Sequence, residues 1–355
     1  MCSGTAGAEE DNDESMQQAS GVDERRAGPS GHRAPPIGGR GGAFKHEAFL
    51  YAGEEEFVAG ALSFVAGALQ ANEPALVAVR DDRAELLREA LGDDARRVTL
   101  ADAVELARNP ARLIPAWLRF LEEQAPDCGR GTVIAESIWP GRSAAELSEC
   151  ARYEELLNFA FADGRAWRLV CPYDVAALDD DAVELARSTH PLLWRHGGTK
   201  SSGAYEGADA AQPFEGTLPD PPAGAQTLAF TITGLHALRE FVSDAAHCAR
   251  LSREGTENVR LAVNELASNS IRHGGGAGTL TTWRENGSLI CQVSDHGRIR
   301  EPLVGRLRPA PDQASGRGLW LVNHLCDLVQ VRSDDRGSVV RVHMRGGGEG
   351  ADRRA

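Results

Sequence analysis

The sequence predicts an α/β protein built in two folded parts, on three observations. The chain has 355 residues, more than one ordinary domain and comfortable for two. Through the first half, short β-rich runs alternate with amphipathic helical patterns, which points to βαβ units on a mainly parallel sheet. In the second half a run of adjacent strands is flanked by helices, which points to an α/β sandwich with a mixed sheet and helices on one face. With 42% hydrophobic and 25% charged residues, both parts can bury a core.

Residues 1–43 are mostly Gly, Ser, Asp, Glu, Arg and Pro, with Gly38 to Gly42 near their end. So little apolar surface does not offset the ordering entropy, and a disordered tail is expected. In the first domain, 44–195, strands are expected at Ala48–Tyr51, Ala75–Val79, Thr132–Ala135 and Trp167–Cys171. Helices are expected near 54–71, 83–91, 110–124, 143–162 and 179–188. Open parallel sheets collect ligands at the carboxyl ends of their strands. Glu136, Tyr173 and Asp174 follow strands there and are candidate residues of a sensory pocket; Glu136 and Asp174 suit the caps of the next helices equally well. From His196 to Gly224 the chain turns to Gly, Ser and Pro, with Pro213, Pro219, Pro221 and Pro222, and reads as a linker that stiffens toward its end.

The second domain, 225–346, opens with a strand at Leu228–Ile232, a helix near 235–248 and a long helix near 254–273. Strands follow at 278–284 and 288–294, then an Arg- and Pro-rich loop, a helix near 317–327, and strands at 328–333 and 338–344. A flexible Gly/Arg tail, 347–355, is expected to close the chain.

Several function classes drop out. The net charge is −14, most of it in 44–200, which argues against a general nucleic-acid binder. The longest apolar runs fall far short of the ~20 residues a membrane span needs. The acidic N-terminus is no signal peptide, so a cytoplasmic protein is expected. The seven cysteines include no CxxC and read as buried thiols in a reducing compartment, with no disulfide frame or zinc site. The only lysines are Lys45 and Lys200, and neither sits in a G-x-x-x-x-G-K frame. Any nucleotide site is therefore built without a Walker loop.

The chemistry gathers in the second domain. On the long helix, Val259, Val263, Leu266 and Ser270 fall on the stripe that packs against the sheet. Glu265, Asn269 and His273 follow at i, i+4, i+8 along the border of that stripe. Alone, such a trio is an ordinary polar flank, and His273 beside Gly274 equally suits a helix cap. Its sequel is Asp295-His296-Gly297 at a strand end, then Gly316-Arg317-Gly318-Leu319 opening a helix. Together these can hold ATP. Asp295 accepts from the adenine amino group, and Gly297 lets the base approach the backbone. Gly316 and Gly318 expose N–H groups and a positive helix end to phosphates. Asn269 offers a neutral oxygen to magnesium, which keeps waters and takes few protein ligands.

The string Asn264 to His273 resembles the N-box of the GHKL (HATPase) ATPases with their Bergerat fold. The Asp295–Gly297 stretch resembles the adenine box, and Gly316, Arg317, Gly318 and Leu319 the lid-closing glycine box. Ile299 departs from the second glycine of the adenine box. Glu265, four residues before Asn269, is similar to the general base of the RsbW-type anti-sigma-factor serine kinases. In the first domain, His46–Tyr51, Tyr153–Asn158, Cys171–Asp174 and Thr189–Pro191 resemble the MEDS sensory domain, a family thought to sense small molecules. The pairing resembles the RsbA-type anti-sigma regulators of high-GC bacteria.

The resemblance implies a sensor-regulated serine/threonine kinase of the anti-sigma type. Its expected cofactors are ATP and Mg2+, and its expected partners a sigma factor, an anti-anti-sigma (STAS) protein and a small-molecule ligand, with a homodimer as a further expectation. Neither membrane nor nucleic acid is an expected partner. The lid, 298–317, carries Arg298, Arg300, Arg306, Arg308 and Arg317 as candidates to meet the γ-phosphate. Two alternatives share the ATP boxes: a histidine kinase, for which His46-Glu47 has the dipeptide but not the helical hairpin, and a non-catalytic binder that ATP only shapes.

Overall fold

Alternation along the first strand sets the plan of the first half. In β1 (Lys45–Tyr51), Ala48 and Leu50 enter one core while Phe49 and Tyr51 enter another. A strand buried on both faces belongs at the centre of a parallel sheet covered by helices on each side. The computed structural model describes residues 44–126, 129–162, 166–208, 214–309 and 316–346; the expected tails 1–43 and 347–355 lie outside them.

β1 is followed by α1 (Gly53–Gln70), β2 (Ala75–Val79), α2 (Asp81–Leu91), β3 (Val98–Asp102), α3 (Ala103–Leu106), α4 (Leu113–Gln124), β4 (Thr132–Ala135), α5 (Ala144–Ala160), β5 (Arg168–Asp174), α6 (Asp180–Thr189), β6 (Leu192–Arg195) and β7 (Gly198–Ser201). The seven-stranded sheet runs β3-β2-β4-β5-β1-β6-β7. Every pairing in it is parallel except β6–β7. α1 and α2 cover one face through Phe57, Phe64 and Leu87. α4, α5 and α6 cover the other through Trp117, Tyr153, Leu157 and Ala186. Local chemistry starts these helices: Ser143 and Glu146 form a reciprocal capping box on α5, and Asp179 caps α6 through the Ala182 amide at 2.9 Å.

The expected linker needs correcting. Gly198–Ser201 is a strand, joined to β6 by His196 and Gly197 at φ 49° and 78°, a two-residue turn that matches the twist of a hairpin. Farther on, the Phe214 carbonyl accepts from the Ser333 amide at 2.9 Å, and the Pro219 carbonyl from Arg341 at 2.7 Å. Residues 214–219 are docked chain.

The second half follows with β8 (Gln226–Thr231), α7 (Leu235–Cys248), α8 (Arg253–His273), β9 (Ala277–Glu285), β10 (Ser288–Asp295), α9 (Arg317–Leu325), β11 (Leu328–Asp334) and β12 (Gly337–Arg345). Its sheet, β11-β12-β10-β9-β8, is antiparallel at each pairing, not mixed: tight turns join β9 to β10 and β11 to β12, the α7–α8 hairpin joins β8 to β9, and the return of β12 beside β10 after α9 and β11 keeps the same alternation. α8 buries Val259, Val263, Leu266 and Ser270 against it, the stripe expected from spacing.

The two sheets belong to one compact unit. Arg112, which precedes α4, donates to the carbonyls of Asn323 (2.8 Å), His324 (2.9 Å) and Cys326 (2.7 Å) at the end of α9. Arg332 of β11 donates to Glu149 of α5 at 2.9 Å, with both side chains buried.

Candidate nucleotide site

The end of β10 and the last turn of α8 meet at Asp295. Its Oδ2 accepts from the Ser270 hydroxyl at 2.6 Å, and its Oδ1 from the Gly297 amide at 2.7 Å. One bond locks the strand end to α8 and the other folds the chain back at Gly297, so the carboxylate is held in one orientation with lone pairs to spare. The glycines around it leave no room. A β-carbon at Gly274 would lie 2.5 Å from the Asp295 carboxyl carbon, and one at Gly297 would lie 2.7 Å from the His273 carbonyl oxygen.

Glu265 and Asn269 are half-buried, as expected of a column bordering the packed stripe, while His273 is exposed at the helix end. Gly274, not His273, occupies the C-cap of α8. Gly316 precedes α9 with φ 88°, a left-handed backbone that favours glycine. Gly318 then brings the first turn of α9 onto the α8 column. A β-carbon there would lie 3.0 Å from Glu265 Oε2 and 3.0 Å from Asn269 Nδ2. The fold thus places Glu265, Asn269, Gly316 and Gly318 on one side, with Asp295 and Gly297 one turn of α8 beyond. Leu319 points the other way, into the core, and Arg317 is exposed. The Asn269 amide oxygen is a neutral donor of the kind that magnesium takes.

Two of the five arginines of the expected lid are engaged elsewhere. Arg306 is buried and paired with Glu149 at 3.6 Å, Arg298 pairs with Asp335, and Leu303 and Leu307 pack on the first core. Residues 310–315 of that segment lie outside the described residues. A groove of about 740 Å³ occupies the opposite face of the five-stranded sheet, between residues 216–221 and β12; it shares Asp295 and His296 with the boxes but none of Glu265, Asn269, Gly316 or Gly318.

Comparison with protein families gives two matches in series. Residues 45–191 match the methanogen/methylotroph, DcmR sensory domain, MEDS, and residues 228–344 match the histidine kinase-like ATPase domain. The chain thus carries a region that matches a MEDS domain, followed by one that matches a histidine kinase-like ATPase domain. No curated protein matches it. Among solved structures it is similar to the RsbU and RsbW domains of a Mycobacterium tuberculosis protein, at 14% identity and a TM-score of 0.26, over 34% of this chain and 32% of that one. It is also similar to the Acinetobacter baumannii histidine kinase AdeS, at 10% identity and a TM-score of 0.22, over 69% of this chain and 98% of that one. The chain spans about a third of the first of these, and likenesses this distant carry no argument. Among the described residues, no helix is long and apolar enough to cross a membrane.

In the MEDS domain Glu136 and Asp174 lie near one another, both beside Tyr51, and Tyr173 parts from them. Glu136 accepts from the Arg80 backbone amide at 3.0 Å and from its guanidinium at 3.2 Å, at the start of α2. Asp174 pairs with Arg83 at 3.2 Å and accepts from the Gly53 amide at 3.4 Å, at the start of α1. Both carboxylates therefore serve helix starts, though not those of the next helices in sequence, which Ser143 and Asp179 cap. Tyr173 alternates to the other face and is buried edge-on against His190, with ring centroids 5.6 Å apart. Sequence reasoning passed over the residues around it: His46, Glu154, Cys171 and His190, all buried, bring their ligand atoms within 4.8 Å of one another. A signal was present, since each lies in one of the four stretches that resemble the MEDS family.

Proposed function

We propose that the ATPase domain is a serine/threonine protein kinase of the anti-sigma-factor type, phosphorylating an anti-anti-sigma (STAS) partner under control of the MEDS domain, with a sigma factor as the protein it captures. The observation that carries this reading is Glu265, one turn before Asn269 and against the first turn of α9 at Gly318, half-buried and, among the described residues, without an ion pair that would neutralise it. In this role Glu265 accepts the proton of the substrate hydroxyl as the hydroxyl oxygen bonds to the γ-phosphorus and the bond from that phosphorus to the β,γ-bridging oxygen breaks, ADP leaving with that oxygen. Asn269 holds Mg2+, Asp295 and Gly297 seat adenine, and the first turn of α9 faces the phosphates. Phosphoryl transfer asks chiefly for this positioning and charge neutralisation.

Burial weighs against the histidine-kinase reading: His46 is fully buried within β1 and cannot present itself to a nucleotide. The reading places the protein in the cytoplasm, where ATP and such partners are found, and keeps a homodimer through the ATPase domain as part of the proposal. The test is to incubate the protein with labelled ATP and its cognate anti-anti-sigma protein. Acid-stable phosphoserine or phosphothreonine on the partner supports the reading. Acid-labile phosphohistidine on the protein itself, or no transfer, contradicts it.

A further inference from the structure

The MEDS domain holds a second constellation, remote from the nucleotide boxes. His46 lies on β1 and Cys171 on the adjacent β5, where Cys171 pairs in register with Ala48, one same-face position along from His46. Glu154 reaches down from α5 and His190 from the end of α6. His46 Nε2 lies 3.3 Å and His190 Nε2 3.5 Å from Glu154 Oε2. Cys171 Sγ lies 3.5 Å from His46 Nε2 and 3.6 Å from Glu154 Oε2. Nitrogen, oxygen and sulfur bonds of about 2.0–2.3 Å to a tetrahedral ion put neighbouring ligand atoms about 3.3–3.6 Å apart. The spacing here is of that size.

Hydrogen bonding around the cluster turns its lone pairs inward. His190 Nδ1 lies 2.9 Å from the Ala186 carbonyl oxygen, which only accepts, so Nδ1 carries the proton and Nε2 is bare. Asn158 donates its amide to the Thr189 carbonyl at 2.7 Å, which leaves its Oδ1 to accept from His46 Nδ1 at 3.2 Å; His46 Nε2 is bare as well. Ser137 donates to Glu154 Oε1 at 2.5 Å and leaves Oε2 to the cluster. His190 Nε2 is fully buried and has no hydrogen-bond partner. Two imidazole lone pairs thus face a carboxylate oxygen among fully buried side chains, an arrangement that a cation resolves.

We propose that His46, Glu154, Cys171 and His190 form a closed tetrahedral site for one divalent transition-metal ion, zinc by ligand preference. Mixed imidazole, thiolate and carboxylate donors select zinc over magnesium or calcium. Binding at the Cys171 sulfur releases the thiol proton. With all four positions supplied by protein, the ion clamps α5 and the end of α6 to the sheet.

The experiment uses the full chain, purified from zinc-supplemented cells and then exchanged with cobalt. Elemental analysis is expected to give one zinc per chain, and the cobalt form to show tetrahedral d–d bands with a thiolate charge-transfer band. Cys171→Ser is expected to lose that charge-transfer band, and Cys150→Ala, which removes a neighbouring buried thiol, to keep it. X-ray absorption of the unmutated zinc protein tests the same claim independently of variant folding: one sulfur at about 2.3 Å and three nitrogen or oxygen ligands at about 2.0 Å are expected. Metal content well below one ion per chain after reconstitution, a band that survives Cys171→Ser in folded protein, or an absorption spectrum without sulfur would overturn the site.

Discussion

Gly318 stands directly against Glu265: any β-carbon at 318 would lie 3.0 Å from the Glu265 carboxylate oxygen. The absence of a side chain there lets the positive end of α9 reach the acidic column of α8. A substitution separates this role from stability. Gly318→Ala suits a helix interior better by about 1 kcal/mol, so thermal stability is expected to hold or rise. ATP affinity measured by calorimetry is expected to fall about tenfold, because the methyl group occupies the contact. Unchanged affinity would remove Gly318 from the site.

Asp295 is predicted to select the base. Asp295→Asn keeps the shape but turns one acceptor into a donor, opposing both the Gly297 amide and an adenine amino group. A hydrogen bond to a charged group contributes about 1.5–3 kcal/mol, so ATP binding is expected to weaken roughly ten- to a hundredfold. GTP, measured in parallel, is expected to change much less.

The grip of Arg112 on α9 is predicted to couple the two domains. Arg112→Ala strips donors from three carbonyls at the end of the helix whose beginning carries Gly316 and Gly318. Thermal or urea unfolding is expected to show a loss of about 3 kcal/mol. ATP affinity is expected to stay within a few-fold, while turnover on the partner protein changes; a variant with unaltered turnover would argue that the contact is only structural.

His343 gives the ATPase half an acid-sensitive step. Burial, with the Arg341 charge beside it, lowers His343 from 6.5 to about 4. The unfolded chain takes up this proton near pH 6.5 and the folded chain not until about pH 4, so the contribution is whole above pH 6.5 and is lost as pH falls toward 4. The loss amounts to about 3 kcal/mol. His343→Gln keeps a donor for the Gln330 side-chain oxygen, 3.1 Å from the native ring, and is expected to flatten the stability profile over that window.

The second half was legible because its signals are local. The α8 stripe, the strand ends and the two glycine turns are each written in a few consecutive residues, and the fold puts them where spacing puts them. The first half hid its edges. β3 is a short, partly exposed edge strand, and β7 has no apolar residue in Gly198–Ser201, so neither shows a strand pattern. Phe214 and Pro219 sit in a Gly/Pro composition that reads as linker, yet it is their carbonyls that dock, and backbone acceptors leave no trace in sequence. The cluster of His46, Glu154, Cys171 and His190 left its signal in four separate stretches; its members are far apart in sequence, and it takes the pairing of β1 with β5 and the packing of α5 and α6 to make them neighbours.

The central claim is that Glu265 is the base of a phosphoryl transfer that this ATPase domain performs. Its most direct measurement is transfer of labelled γ-phosphate to the cognate anti-anti-sigma protein by Glu265→Gln beside the unmutated protein, with Mg-ATP binding followed in the same preparations. Glutamine keeps the size and hydrogen bonding of the side chain and removes only the proton acceptor. A general base contributes about 10²–10⁴ in rate, so transfer is expected to fall by at least a hundredfold while Mg-ATP affinity stays within a few-fold. Transfer by Glu265→Gln at the unmutated rate would contradict the claim and leave Glu265 a polar flank of α8.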